Sequence, residues 1–431
     1  MKTKTSPNDF GHLLFGHIPA HWLTKRLRFA CEMIQTGGTP SQDFLDNADE
    51  TTVNWFTPGD FTESLELDES GRKVSEDGVR AGEVRIFPSE TVFVVGIGAT
   101  LGRVGFTRNA ASANQQVNAL IPRQDTHTAF LALQLSVCGD LMNAWANRST
   151  LPILNQQRMG DIPIILPPFP EQVVIADFLD RETAKIDALV AVKEQVLGLL
   201  VEKRRAFIRR AVTRGLNPNV PLRDSGLPWL GQIPVHWETE RARWLFQERD
   251  KRSQSGDEEL LTVSHLTGVT PRSEKNVNMF EAETTEGYKI CQSGDLVINT
   301  LWAWMGAMGV SPLHGIVSPA YNVYTPCEGL DPAYVDALVR MPVFAQEATR
   351  FSKGVWSSRL RLYPEGFFEI WMPVPPLEEQ HGIVAHIARE TAKLDALRAA
   401  AERTIGLLKE RRAALIAAAV TGQIEVKGVN Y

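Results

Sequence analysis

Between residues 169 and 213 the chain runs without a proline after position 170, and its apolar side chains fall in a regular stripe. Ile175, Leu179, Ile186, Leu189, Val196, Leu200 and Phe207 follow spacings of four, seven, three, seven, four and seven. That is a heptad-like pattern with some positions taken by Glu182, Lys193 and Lys203. It predicts one helix of about 40 residues, about 60 Å long at the standard rise. A second stretch carries the same stripe through Ile383, Ile387, Leu394, Leu397, Leu408 and Leu415. The segments between these helices read differently. Short apolar runs such as Val92–Val95 and Leu296–Ile298 are closed by glycines and read as buried strands.

The two stripes belong to one repeat. Residues 167–213 align without a gap on residues 375–421, with 25 identities in 47 positions, including the run Arg181–Lys185 against Arg389–Lys393. The start of each half repeats as well: "GHIPAHW" at 16–22 and "GQIPVHW" at 231–237, with Arg26 and Arg28 opposite Arg241 and Arg243. Gly102 and Gly105 match Gly306 and Gly309, so the variable blocks keep a frame while their other side chains differ. The stretches 148–164 and 356–372 also align at the offset of 208 and lead into the helices. The period far exceeds the roughly 20–50 residues of a solenoid unit, which leaves duplication of a domain with its connector. The two helices are expected to pack on each other as an antiparallel coiled coil; the alternative is that each lies on its own half.

Composition narrows the class. Hydrophobic content of 43% suits a globular chain, and no apolar run approaches the length needed to span a bilayer. The opening "MKTKTSPNDFGH" lacks the apolar core of a signal peptide. Cys31, Cys138, Cys291 and Cys327 are scattered with no CxxC, which fits a reducing, cytoplasmic setting and disfavours a cysteine zinc site. A net charge of −6 gives no global nucleic-acid signal. The run Lys203, Arg204, Arg205, Arg209, Arg210, Arg214 reads as a solvated face or a docking surface for an acidic partner ahead of a phosphate contact.

Catalytic signatures are missing. "DPAY" at 331–334 departs from the Asn/Asp-Pro-Pro-aromatic motif of an amino-methyltransferase, and there is no GxxxxGK[ST] phosphate loop. "EVK" at 425–427 lacks the preceding carboxylate strand of a nuclease. His12, His17 and His21 have no further ligand in view and read as packing or capping residues. No metal or cofactor is expected in this chain.

The order of blocks, with "IPxHW" entries, "PPFPEQ" and "PPLEEQ" boxes and the runs "RETAKIDAL" and "RETAKLDAL", resembles the specificity subunit of type I DNA restriction–modification systems over residues 11–425. The resemblance implies an α+β chain: two similar mixed α/β target recognition domains separated by two long antiparallel helices that form a coiled coil. The boundaries expected are 1–166 for the first recognition domain, 167–214 for the first helix, 215–374 for the second domain, 375–425 for the second helix and 426–431 for a tail. It further implies a non-catalytic subunit that reads a bipartite site on double-stranded DNA in phage defence. Two methylation subunits, holding S-adenosylmethionine, and restriction/translocase subunits would assemble on it, with no membrane contact. Two rival readings stand beside this: a stand-alone DNA-modifying enzyme, and a protein-binding coiled-coil adaptor without DNA contact.

Side chains suited to base edges mark the expected DNA contacts. In the first block these are Arg103, Asn114, Gln115, Gln116, Arg148 and Ser149; in the second, Tyr321, Asn322, Lys353, Trp356, Ser357 and Arg359. Asn118, Trp302 and Trp304 stand near them, the tryptophans alternating with Ala as on one face of a strand. Subunit docking is expected at Glu171, Gln172, Arg181 and Lys185, and at their repeats Glu379, Gln380, Arg389 and Lys393.

Overall fold

The computed structural model describes residues 16, 18–46, 52–147, 151–275, 284–354 and 360–428. The chain divides into two compact units, one holding residues up to Lys193 and from Arg403 onward, the other Glu194–Glu402.

In the first unit the entry strand β1 (Leu23–Arg26) leads to β2 (Cys31–Thr36), β3 (Thr91–Val95), β4 (Val104–Thr107) and β5 (Val117–Pro122). The last four form an antiparallel sheet of order β2-β5-β3-β4. β3 is buried at every position, as its unbroken Thr-Val-Phe-Val-Val run requires of a central strand. Helix α1 (Thr128–Ser136) packs on this sheet. β6 (Pro163–Leu166) returns antiparallel to β1, pairing Leu23 with Leu166, and hands over to the long helix α2 (Phe169–Arg214).

The second unit repeats the plan. β7 (Glu238–Arg241) is its entry, and β8 (Phe246–Glu248), β9 (Leu296–Asn299), β10 (Met308–Val310) and β11 (Tyr321–Pro326) form a sheet of order β8-β11-β9-β10. Helix α3 (Pro332–Val339) stands where α1 stands, β12 (Trp371–Val374) pairs with β7, and the long helix α4 (Leu377–Val420) follows. Register is kept to the residue: Asn118 of β5 lies opposite Val94, and Asn322 of β11 opposite Ile298.

Both units contain antiparallel stretches of the two long helices. In the first, Arg412 pairs with Asp187 at 2.8 Å, and Ile175 and Leu179 share a core with Ile416 and Val420. In the second, Arg204 pairs with Asp395, and Ala211 and Val212 share a core with Ile383. The partners' numbers fall on one helix as they rise on the other, which is the antiparallel pairing expected. Along each stripe full burial extends to Ile186 and Leu394 and then lapses. Leu189 is 53% and Leu397 57% exposed, and Leu199 and Leu407 are open too. Each helix ends in a left-handed glycine, Gly215 at φ +69° and Gly422 at φ +72°, on which a Cβ would lie 3.2 Å and 3.1 Å from the rings of Trp237 and Trp22. Any side chain there would meet both backbone strain and an indole.

Candidate nucleic-acid interface

The repeated boxes find each other in space. Trp22 donates its indole N–H to Glu171 at 2.9 Å, and His21 Nε2 lies 3.1 Å from the same carboxylate. In the second unit Trp237 donates to Glu379 at 3.0 Å, with His236 Nε2 at 2.8 Å. A carboxylate in the first turn of a helix also meets the positive end of the helix dipole, so the acid suits that place twice over.

Gln172 and Gln380 are fully buried beside these acids. Gln172 Oε1 accepts from the His127 N–H at 2.8 Å, and its Nε2 donates to the carbonyls of Asp125 at 3.0 Å and Pro167 at 2.8 Å. Gln380 accepts from the Asp331 N–H at 2.8 Å and donates to Gly329 at 2.9 Å and Pro375 at 2.8 Å. Each amide thus satisfies loop backbone just before α1 or α3, and only a glutamine offers acceptor and donors on an arm of this length. The amides serve the interior of each unit; Arg181, Lys185, Arg389 and Lys393 are exposed on the helices. Lys185 pairs with Glu182 at 2.6 Å and Lys393 with Glu390 at 2.8 Å.

A third repeated tie holds the entry strands. Arg26 and Arg28 both pair with Asp161, and Arg241 and Arg243 both pair with Glu369. The aromatic next along the chain is exposed in both units, Phe29 at 58% and Trp244 at 69%. Reading "RLRF" and "RARW" as one motif would have found this pair.

On these matched frames the loop side chains differ. Gly98 and Thr100 precede Gly102 where Trp302 and Trp304 precede Gly306. The two tryptophans stack at 6.1 Å on a 3-10 turn, Ala303–Met305, instead of forming a strand face. Trp302 is 52% exposed and, with Tyr288, Asn299 and Tyr321, lines a cleft of about 840 Å³. Tyr288 and Asn299 went unmarked in the sequence, where neither lies in a repeated box.

Of the other expected contacts, Arg103 is exposed and donates to the Phe61 carbonyl at 2.8 Å. Asn114 is buried and bonds to Gln116, accepting its backbone N–H at 3.0 Å. Gln115 is exposed and accepts from Thr39. Asn118 is buried and donates to the Leu154 carbonyl at 3.1 Å. Asn322, its counterpart, is buried and accepts from Lys289 at 3.3 Å. Lys353 is exposed, with its backbone bonded to Arg361. Arg148, Ser149, Trp356, Ser357 and Arg359 lie outside the described residues, as do His12 and His17. The structure therefore gathers Trp302 and Tyr321 at one cleft and Asn114, Gln115 and Gln116 at one turn.

Chemistry of another kind finds little footing. Burial pushes the thiols of Cys31, Cys138 and Cys291 up to about 12, so none supplies a thiolate at neutral pH. Among the described residues no group of three or more His, Cys, Asp or Glu could hold a metal ion, and no helix is long and apolar enough to cross a membrane.

Residues 19–197 match the sequence model of the type I restriction modification DNA specificity domain. The chain is 21% identical over 294 residues to the type I restriction enzyme EcoDI specificity subunit of Escherichia coli, covering 64% of this chain and 65% of that one. It is 22% identical over 367 residues to the EcoBI specificity subunit of Escherichia coli, covering 79% and 74%. The chain is thus similar to type I specificity subunits. Among solved structures, the fold is similar to that of the HsdS subunit from Thermoanaerobacter tengcongensis, with a TM-score of 0.55, 15% identity and coverage of 94% and 98%. A chain from work on complex assembly and conformational transition of the type I R-M system aligns with a TM-score of 0.65 at 16% identity, covering 95% and 100%. The clamp, the buried glutamines and the arginine ties recur in both units, while the loops they carry differ. The match to EcoDI takes in just under two thirds of that relative's length.

Proposed function

We propose that this chain is the non-catalytic, DNA-reading subunit of a type I restriction–modification complex in the cytoplasm. Each unit reads one half of a bipartite site on double-stranded DNA. The observation that carries the reading is a sheet of one order, held by one set of ties, present twice with different loop chemistry at the same place. A chain selected to recognise one target twice would keep its loops alike.

Arg103, Gln115 and Gln116, with Arg148 and Ser149, are the proposed contacts of the first recognition domain, residues 1–166. Tyr321 and Lys353, with Trp356, Ser357 and Arg359, are those of the second, residues 215–374. Asn114 and Asn322 support these loops from inside. The repeated exposed faces of the helices, with Arg181 and Lys185 on one and Arg389 and Lys393 on the other, fit two copies of one methylation subunit, since like surfaces bind like partners. Those subunits would hold S-adenosylmethionine and share the work of neutralising phosphate, which lets a chain of net charge −6 act on DNA. Restriction/translocase subunits complete the assembly.

The test is exchange of residues 11–165 for the matching block of a relative, followed by methylome sequencing. One half of the methylated sequence should change and the other stay. A change in both halves, or in neither, would overturn independent reading by the two units.

A further inference from the structure

The two copies of the long helix diverge sharply near their C-terminal ends. Arg205, Arg209, Arg210 and Arg214 of α2 stand where α4 has Ala413, Ala417, Ala418 and Gly422. All four arginines are exposed, and among the described residues none has a carboxylate within ion-pair distance. A surface used by a partner that binds both helices alike has no reason to carry four cations on one copy that the other lacks at the same positions.

A second difference falls in the same place. In the second unit a cleft of about 580 Å³ opens beneath Arg205 and Arg209, with Ile208, Met341 and Ile387 in its lining; Arg340 also lines it but is paired with the lining carboxylate Asp336 at 3.5 Å. Ala337 also lines it. The first unit has Leu133 at that position, and Leu133 packs there in a closed core with Leu179 and Ile416, the counterparts of Ile387 and Ile208. Past Arg209 lies a further recess of about 390 Å³ lined by Arg210, Arg214 and Trp229, and the buried indole N–H of Trp229 has no hydrogen-bond partner.

We propose that this face of the second unit docks an acidic segment of a partner protein that carries apolar anchor side chains, one copy per chain. Cations around an apolar cleft complement carboxylates that alternate with aliphatic groups. A nucleic-acid backbone would satisfy the arginines and leave the aliphatic floor unfilled. Arginine suits carboxylate pairing through its fork of donors. The inference goes beyond DNA reading and does not rest on it.

The test uses the full chain and a fluorescein-labelled synthetic peptide of repeating Glu-Glu-Leu-Leu, read by anisotropy at physiological salt. Polyglutamate of the same length and random-sequence duplex DNA serve as competitors. Binding should saturate at one peptide per chain. The triple variant R205A/R209A/R210A should weaken it by about tenfold or more, the scale of a lost charge-assisted contact. A337L, which fills the cleft as the first unit does, should weaken the peptide and leave polyglutamate unaffected. R411A, on the other helix, should change nothing. The arginines are exposed, so an unchanged thermal midpoint certifies the triple variant even if A337L folds poorly. No binding, two peptides per chain, indifference to the triple variant, equal binding of polyglutamate, or equal displacement by duplex DNA would each overturn the proposal.

Discussion

Trp22 and Glu171 stand 149 positions apart and meet through a 2.9 Å hydrogen bond from indole to carboxylate. Trp237 and Glu379 repeat the contact at 3.0 Å across 142 positions. The first residue of each pair sits in the entry box and the second in the first turn of a long helix. The bond therefore fastens the start of a unit to the helix that leaves it.

Replacing Glu171 by Ala should destabilise the first unit by about 1–3 kcal/mol, because the buried indole N–H loses its acceptor. Hydrogen exchange resolved by peptide should speed up in residues 18–46 and 163–193 and stay unchanged in residues 232–271. Glu379→Ala should reverse the pattern. Uniform exchange changes in both units would show that the clamp is not local.

Gln172→Leu should cost more, about 3 kcal/mol or above, since it leaves one N–H and two carbonyls unpaired in the interior. Urea denaturation reads the loss as a shifted midpoint at constant slope. A variant as stable as the parent would mean that water replaces the amide.

His127 caps α1, accepting the Phe130 N–H through Nδ1 at 3.4 Å, and burial holds its ring below the usual imidazole range. The folded state favours the neutral ring, so the contribution is present above the ordinary value of about 6.5 and is lost as pH falls through the depressed one. The second unit uses Asp331 at this place, accepting from Ala333 at 2.7 Å and Tyr334 at 3.2 Å. His127→Asp should flatten the loss of stability between pH 7 and pH 5, seen as thermal midpoints across that range (about the window of an imidazole). An unchanged pH profile would remove His127 from the account.

The helices can be tested as a spacer. Insertion after Thr213, at the end of the first helix, would disturb the core around Val212, where Thr213 Oγ1 donates to the Arg209 carbonyl. One extra heptad between Lys193 and Glu194, matched by one between Glu402 and Arg403, keeps the stripe in phase and adds about 10 Å per helix. Methylation mapping should return the same half-sites with a gap about three base pairs longer, at about 3.4 Å per step. An active variant with the original gap would sink the idea.

Much of the frame was legible because a duplication repeats local signals. The starts of both helices were bounded within two residues, since Pro167-Pro168 and Pro375-Pro376 forbid helix before them; the first ends at Arg214 as expected, but the second stops at Val420, before the left-handed Gly422 and five residues short of the expected 425. Val92–Val95 and Leu296–Ile298 are central strands as their unbroken apolar runs required. The roles of Glu171 and Gln172 were not legible: nothing nearby in sequence reveals that one carboxylate waits for Trp22 or that an amide fills a gap before α1. Periodicity also overstated the seam. It placed Leu189 and Leu397 with the buried stripe, but a period says which side of a helix is apolar and cannot say how far along it a partner lies.

The core around Trp22 holds Ile18, Ile175, Ile416, Val420 and Val426, so the first unit draws on residues near both extremes of the numbering. The second unit needs only Glu194–Glu402. On the ribosome, then, the order of completion inverts the order of synthesis. The block made first can close its sheet core, which lies within residues 27–166, but the cluster around Trp22 is complete only when residues 403–426 emerge. A truncated or stalled nascent chain would present a finished second unit beside an unsealed first one, exposing apolar surface for a chaperone or protease to detect.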